Sequence, residues 1–131
     1  MADAFQVSQP RVFVHSRCST CRRALAWLRE VGVPFETVDI IATPPGSGVL
    51  AEALAQLTRS RLLNTSGRSY RSLGAATVKA LTDDALTTAL ASDGGLIRRP
   101  FLQLPGGRFL TGFKVQEWQE LLEPLRPALD P

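Results

Sequence analysis

Residues 11–40 place the tightest limit on how this chain folds. Arg11 to His15, RVFVH, is a short β-branched and aromatic run and reads as a strand. From Thr20, the residues Cys21, Ala24, Leu25, Leu28 and Val31 follow the spacing of one helical face, and Gly32 is a stop. PFETVDI then reads as a second strand, reached through only Gly32, Val33 and Pro34. Strand, helix and strand within about 30 residues make a βαβ crossover, so two parallel strands are expected.

The rest of the pattern is helical and then returns to strands. TPPGSG, Thr43 to Gly48, is a loop, and VLAEALAQL after it is rich in helix formers. NTSGRS, Asn64 to Ser69, breaks that run. Thr82, Asp83 and Asp84 supply a cap and favourable negative charge at the start of ALTTALAS, which DGG ends. FLQL and RFLTG flank Pro105 to Gly107 as a β-hairpin with a three-residue loop. A last helix sets Val115, Trp118, Leu121, Leu122 and Leu125 on one face, and Pro124 and Pro127 close the chain. The order βαβ, helices, ββα describes an α/β fold with a mixed sheet of about four strands and no internal repeat. We expect a single domain over 1–131, with its core in about 11–42 and 96–125 and a helical insertion over about 43–95.

No run approaches the roughly 20 apolar residues of a membrane span, and MADAFQVSQP has no signal-peptide pattern. The cytoplasm is therefore the expected location. In a reducing compartment, a close pair of cysteines points to catalysis, redox sensing or metal binding before a structural staple. Thirteen of the fifteen basic residues are arginine, the exceptions being Lys79 and Lys114, and the guanidinium fork suits oxyanions and carboxylates. Between Glu52 and Asp83 there is no acidic residue, while Arg59, Arg61, Arg68, Arg71 and Lys79 fall inside, a basic segment able to face an anionic partner. Tyr70 is its only aromatic residue, which argues against a single-stranded nucleic-acid surface.

The chemistry concentrates in HSRCSTCRR, residues 15–23, which holds both cysteines and the only histidine. Cys18 falls at the strand-to-helix junction, where free backbone N–H groups and the helix dipole favour an anion such as a thiolate. Arg17, Arg22 and Arg23 add positive charge, so Cys18 is expected to be the attacking sulfur. Cys21, one helical turn further in, is expected to be the resolving thiol of a dithiol–disulfide cycle. His15, Cys18 and Cys21 supply at most three metal ligands, and no other cysteine or histidine completes a tetrahedral site, so no metal is expected. The alternative of two small buried hydrophobes at a helix start stays open. His15 reads as a strand-end residue rather than a catalytic base.

CSTCRRALAWLREVGVPFETVDI and LIRRPFLQLPGGRFLTGF together resemble the arsenate reductase (ArsC) and Spx family of thioredoxin-like proteins, over roughly Arg11 to Leu122. The resemblance implies a thioredoxin-like sheet with an inserted helical subdomain. It also implies a cis Arg99–Pro100 bond facing the cysteine loop. Carried over by residue, Cys18 matches the nucleophile, Arg22 the arginine that closes the cysteine loop, and Arg99 the oxyanion arginine before the proline. The positions of the other two clamp arginines fall at Asn64 and around Thr111 or Gly112, and Arg68 and Arg98 are the nearby arginines available to replace them.

The family holds enzymes and regulators. Its arsenate reductases use glutathione with glutaredoxin, and its Spx-like regulators use a CxxC switch and bind the RNA polymerase α subunit through a glycine that aligns near Thr58 here. LLNTSGRSY, Leu62 to Tyr70, resembles a third branch of small reductase-like proteins that use glutathione. The sequence reading is therefore a thiol-disulfide oxidoreductase with Cys18 and Cys21 as its redox pair and Arg22 and Arg99 stabilising the thiolate and an anionic substrate. Glutathione, glutaredoxin or thioredoxin would be its electron donor and arsenate a candidate substrate. A redox-sensing regulator that binds RNA polymerase is the alternative, with no direct nucleic-acid or membrane contact.

Overall fold

In the computed structural model, residues 7–125 are described, so Pro127 lies outside the described residues. The chain runs β1 (Arg11–Val14), α1 (Ser19–Val31), β2 (Glu36–Asp39), α2 (Ser47–Gln56), α3 (Arg59–Leu62), α4 (Arg68–Leu73), α5 (Ala75–Ala80) and α6 (Asp83–Ser92). A 3₁₀ turn at Gly94–Leu96 leads into β3 (Phe101–Leu104), β4 (Arg108–Thr111) and α7 (Val115–Leu122). The four strands form one mixed sheet in the order β2-β1-β3-β4. β1 is parallel to β2, as the crossover requires, and antiparallel to β3.

Alternation along the strands divides the interior between the two faces of the sheet. Val12, Leu102 and Leu110 point to one face and pack with Ala24 and Leu28 of α1 and with Trp118 and Leu122 of α7. Phe13, Phe101 and Phe109 point to the other, against Leu50 and Ala53 of α2, Leu62 of α3, Val78 of α5, and Leu86 and Leu90 of α6. The Phe101 ring packs against Phe13 on one side and Phe109 on the other, with centroids 5.6 and 5.7 Å away. The helices between β2 and β3 thus roof one face, while α1 and α7 cover the other.

The local signals explain the helix ends. Gly32 closes α1 in the left-handed region at φ 79°, with its N–H donated to the Leu28 carbonyl. Thr82 caps α6 by accepting from the Ala85 N–H at 3.1 Å, with Asp83 and Asp84 in the first turn. Two expectations change. α7 stops at Leu122 because Pro124 cannot continue its hydrogen-bond ladder, so Trp118 and Leu122 carry the burial while Val115 and Leu125 stay 44% and 36% exposed. The segment between Glu52 and Asp83 does not present all its cations outward either. Arg59 pairs with Asp83 at 2.6 Å and donates to the Leu81 carbonyl, and Arg61 pairs with Glu117 at 3.1 Å.

A second tie holds the helical roof to the sheet. Asn64 N–H donates to the Leu96 carbonyl and Arg98 N–H to the Leu62 carbonyl, around an isolated antiparallel bridge between Leu63 and Ile97. The adjoining Gly94 sits so close to the end of β2 that a Cβ there would lie 1.9 Å from the Ile40 carbonyl oxygen. Gly94→Ala therefore forces backbone apart and is expected to cost about 3 kcal/mol or more in denaturant unfolding, the upper end of overpacking effects. Gly46→Ala, where no atom stands within 4 Å, is the control and should cost no more than about 1 kcal/mol, the loss of a preferred N-cap residue of α2.

Candidate functional site

The loop after β1 is built around the first cysteine. Cys18 is the N-cap of α1 in extended conformation, and its N–H donates to the His15 carbonyl at 3.1 Å. Its sulfur accepts the Cys21 N–H at 3.2 Å, the place taken by a serine or aspartate oxygen in ordinary caps. That N–H and the start of a thirteen-residue helix present partial positive charge to this sulfur. Arg22 reaches back to donate to the Ser16 carbonyl at 2.9 Å, a side-chain tie across the cysteine loop. His15 follows the last residue of β1, and its Nδ1 accepts from Arg17 N–H at 3.3 Å.

Cys21 is far more enclosed than Cys18. It is 1% exposed, whereas Cys18 is only partly covered, and both are free thiols. Burial, reinforced by a hydrogen bond to the Cys18 sulfur and by that sulfur's charge, pushes the Cys21 thiol from its ordinary 9.0 up to about 12. A backbone hydrogen bond from His15, larger in effect than the Cys18 charge, and the Arg99 charge pull the other way. Cys21 therefore sits protonated in the reduced protein.

The register of β1 on β3 brings in the second half of the site. Phe13 faces Phe101, so the chain just beyond β1 lies beside the chain just before β3, where the Arg99–Pro100 bond is cis and Pro100 is buried. Thr111 faces Phe101 from the other side, and Gly112 N–H donates to the Pro100 carbonyl at 3.0 Å. Arg99 lines two cavities. One, of about 420 Å³, is bounded by His15, Arg17, Asn64, Arg68 and the exposed Ile41. The other, of about 310 Å³, is bounded by Thr20, Arg23, Arg61, Arg98 and Lys114. Asn64 and Arg68 border the first, and Thr111, Gly112 and Arg98 border the second. Lys114, which the sequence reading did not single out, also lines the second; its only sequence signal is its place just before the last helix.

Another cavity, of about 480 Å³, lies between Arg11, Glu36 and the loop at 43–49, but it is lined by no cysteine or histidine, and Arg11 and Glu36 are paired to each other at 2.7 Å. Among the described residues no group of three or more His, Cys, Asp or Glu is placed to hold a metal ion, and no helix is long and apolar enough to cross a membrane.

The two thiols are expected to separate in a labelling experiment. At pH 8 the reduced protein should take up one equivalent of iodoacetamide, at Cys18, with Cys21 labelled only on unfolding or as the pH nears 12. Because the unfolded chain releases the Cys21 proton near 9.0 and the folded chain holds it to about 12, this thiol's contribution to stability is complete below the lower value and lost as pH climbs through that window. The fall in stability above pH 9.0, followed by denaturant titration, should be smaller in Cys21→Ala.

A model of the ArsC family matches residues 13–121. The Bacillus subtilis protein YusI is 34% identical over 109 residues, covering 81% of this chain and 92% of its own. An arsenate reductase of Neisseria meningitidis is 29% identical over 115 residues, covering 86% of this chain and 97% of its own. The global transcriptional regulator Spx of Streptococcus agalactiae is 28% identical over 113 residues, covering 85% of this chain and 81% of its own. A crystal structure described as a possible arsenate reductase from Streptococcus mutans superposes with a TM-score of 0.77 at 34% identity, over 83% of this chain and 94% of that one. With the sheet order, the cysteine loop and the cis proline already in place, the match over most of the chain shows that this protein belongs to the ArsC family and has its thioredoxin-like fold.

Proposed function

We propose that this chain is a thiol-disulfide oxidoreductase in which Cys18 is the nucleophile and Cys21 the resolving thiol. One observation carries the reading: a partly exposed sulfur caps a helix and accepts the N–H of the residue that bears the second, buried sulfur. The Cys18 thiolate attacks one sulfur of a disulfide substrate, forms a mixed disulfide and expels the other half as a thiolate. Forming that bond removes the negative sulfur that helps keep Cys21 protonated, which eases ionisation of Cys21 for the second step. Cys21 then attacks the Cys18 sulfur, releases the second half as a thiol and leaves a Cys18–Cys21 disulfide. Two electrons have passed to the substrate, and two from glutathione with glutaredoxin, or from thioredoxin, restore the dithiol. The cytoplasm is the setting that supplies these donors.

The Arg99 charge is felt by Cys21, and the arginines that line the two cavities beside it favour an anionic substrate. Arsenate belongs among the candidates, because Arg68 and Arg98 border the cavities that contain the two unmatched clamp positions. The similarity to Spx supports a second reading, in which the same disulfide alters a surface that binds the RNA polymerase α subunit.

A turnover screen with glutathione, glutaredoxin and thioredoxin, against arsenate and model disulfides, tests the first reading. Cys18→Ser should abolish turnover. Cys21→Ser should still form the mixed disulfide, visible by mass spectrometry, but should not resolve it unless external thiol is added. No turnover with any donor, together with capture of the polymerase α subunit by the oxidised form alone, would favour the regulator.

A further inference from the structure

Gly112 links the last helix to the segment that carries Arg99. The ladder between β3 and β4 ends where Phe101 faces Thr111, and one further bond lies beyond it, from the Gly112 N–H to the Pro100 carbonyl at 3.0 Å. The Gly112 carbonyl accepts in turn from the Trp118 indole N–H, also at 3.0 Å. Gly112 adopts φ 70°, in the left-handed region, so the chain turns from β4 toward α7 with both of its polar groups engaged.

Trp118 is fully buried, and its ring meets Phe113 and Trp27 edge-on with centroids 5.1 and 6.4 Å away. Another aromatic ring could pack there, but the indole adds a donor. Loss of that donor would leave the Gly112 carbonyl without its partner in a place closed to water. On the other side, the Arg98 N–H bonds to the Leu62 carbonyl at 2.9 Å. The segment Arg98 to Pro100 is thus pinned at both ends, by α3 and by Gly112, with Arg99 between. The side-chain charges that bear on Cys21 are those of Cys18, which tightens its hold on the proton, and Arg99, which loosens it.

We propose that Trp118 is a positioning residue of the redox site: its indole N–H, acting through Gly112 and Pro100, fixes the place of the Arg99 guanidinium relative to the buried thiol. The inference rests on the proposed redox reading and adds to it a residue of the last helix, outside the cysteine loop. Loss of the indole donor frees Pro100 and Arg99 to move, weakens the pull of the guanidinium on Cys21 and raises the pH at which that thiol ionises.

The test follows the carbon-13 shift of the Cys21 Cβ against pH in the full reduced chain carrying Cys18→Ser, which takes the charge of the first sulfur out of the site. Adding Trp118→Phe should raise the midpoint by about half a pH unit, part of what one neighbouring charge contributes. Arg99→Ala should raise it by about one pH unit, and Trp118→Phe on top of Arg99→Ala should add nothing further. Because Trp118→Phe also opens space in the core, the titration is repeated with 3-benzothienylalanine in place of Trp118, whose sulfur replaces the N–H within the same ring shape. The analogue should give the same rise. An unchanged midpoint with the analogue, or rises that add in the double variant, overturns the proposal. In the chain with both cysteines, the resolution of a mixed disulfide formed with bis(2-hydroxyethyl) disulfide should move to higher pH in step with the midpoint. If the unsubstituted protein forms no mixed disulfide, the redox reading fails instead, and the Cys21 titration alone decides whether Trp118 positions Arg99.

Discussion

Everything in the site depends on β1 being paired on both edges. A strand in the middle of a sheet fixes the register of both neighbours, and here that register collects four distant pieces of chain at one end. Val14 faces Asp39, so Ile40 and Ile41 leave β2 beside the cysteine loop. Phe13 faces Phe101, which sets Arg99 and Pro100 next to it, and the hairpin brings Gly112 to the far side of Pro100. The alternation of Val12 and Phe13 into opposite cores locks this arrangement, because a one-residue slip would turn both apolar sets to the wrong face.

The βαβ unit was legible because its signals are local. Helical spacing from Cys21 to Val31, the stop at Gly32 and the short link to β2 involve residues close in sequence, and so does the cap at Thr82. The position of Cys18 as N-cap, and hence the different surroundings of the two sulfurs, followed from the same pattern. What the pattern did not contain was any tie between segments. The bridge of Leu63 to Ile97 and the pairing of Arg61 with Glu117 join residues 34 and 56 positions apart. Neither has a periodicity to reveal it. The apolar stripe of the last helix was overread for a related reason: spacing assigned Val115 and Leu125 to its buried face, but only the ends of the sheet and helix decide how far that face is covered.

The thiols show how one short motif yields two chemically different groups. Spaced three apart across a helix start, one sulfur must lie at the mouth of the helix and the other within its first turn, facing the core. The first gains an N–H donor and the partial positive charge of the helix start. The second loses water, and it also feels the first, so its proton is held more tightly. In the proposed redox cycle, burial and helix geometry would set the order of attack, and the step that caps the first sulfur would ease ionisation of the second.

Arginine placement follows a similar division of labour. Arg11, Arg59 and Arg61 each meet a carboxylate, and these three pairs tie β1 to β2, α3 to α6 and α3 to α7. Arg17, Arg68, Arg98 and Arg99 meet none among the described residues and line the two cavities that share Arg99. Net charge is a poor guide to such a surface, since +3 spread over the molecule would attract anions only weakly. Pairing the arginines that fasten one element to another, while leaving those that line the two cavities unopposed, concentrates positive potential at the end of the sheet that carries the cysteine loop.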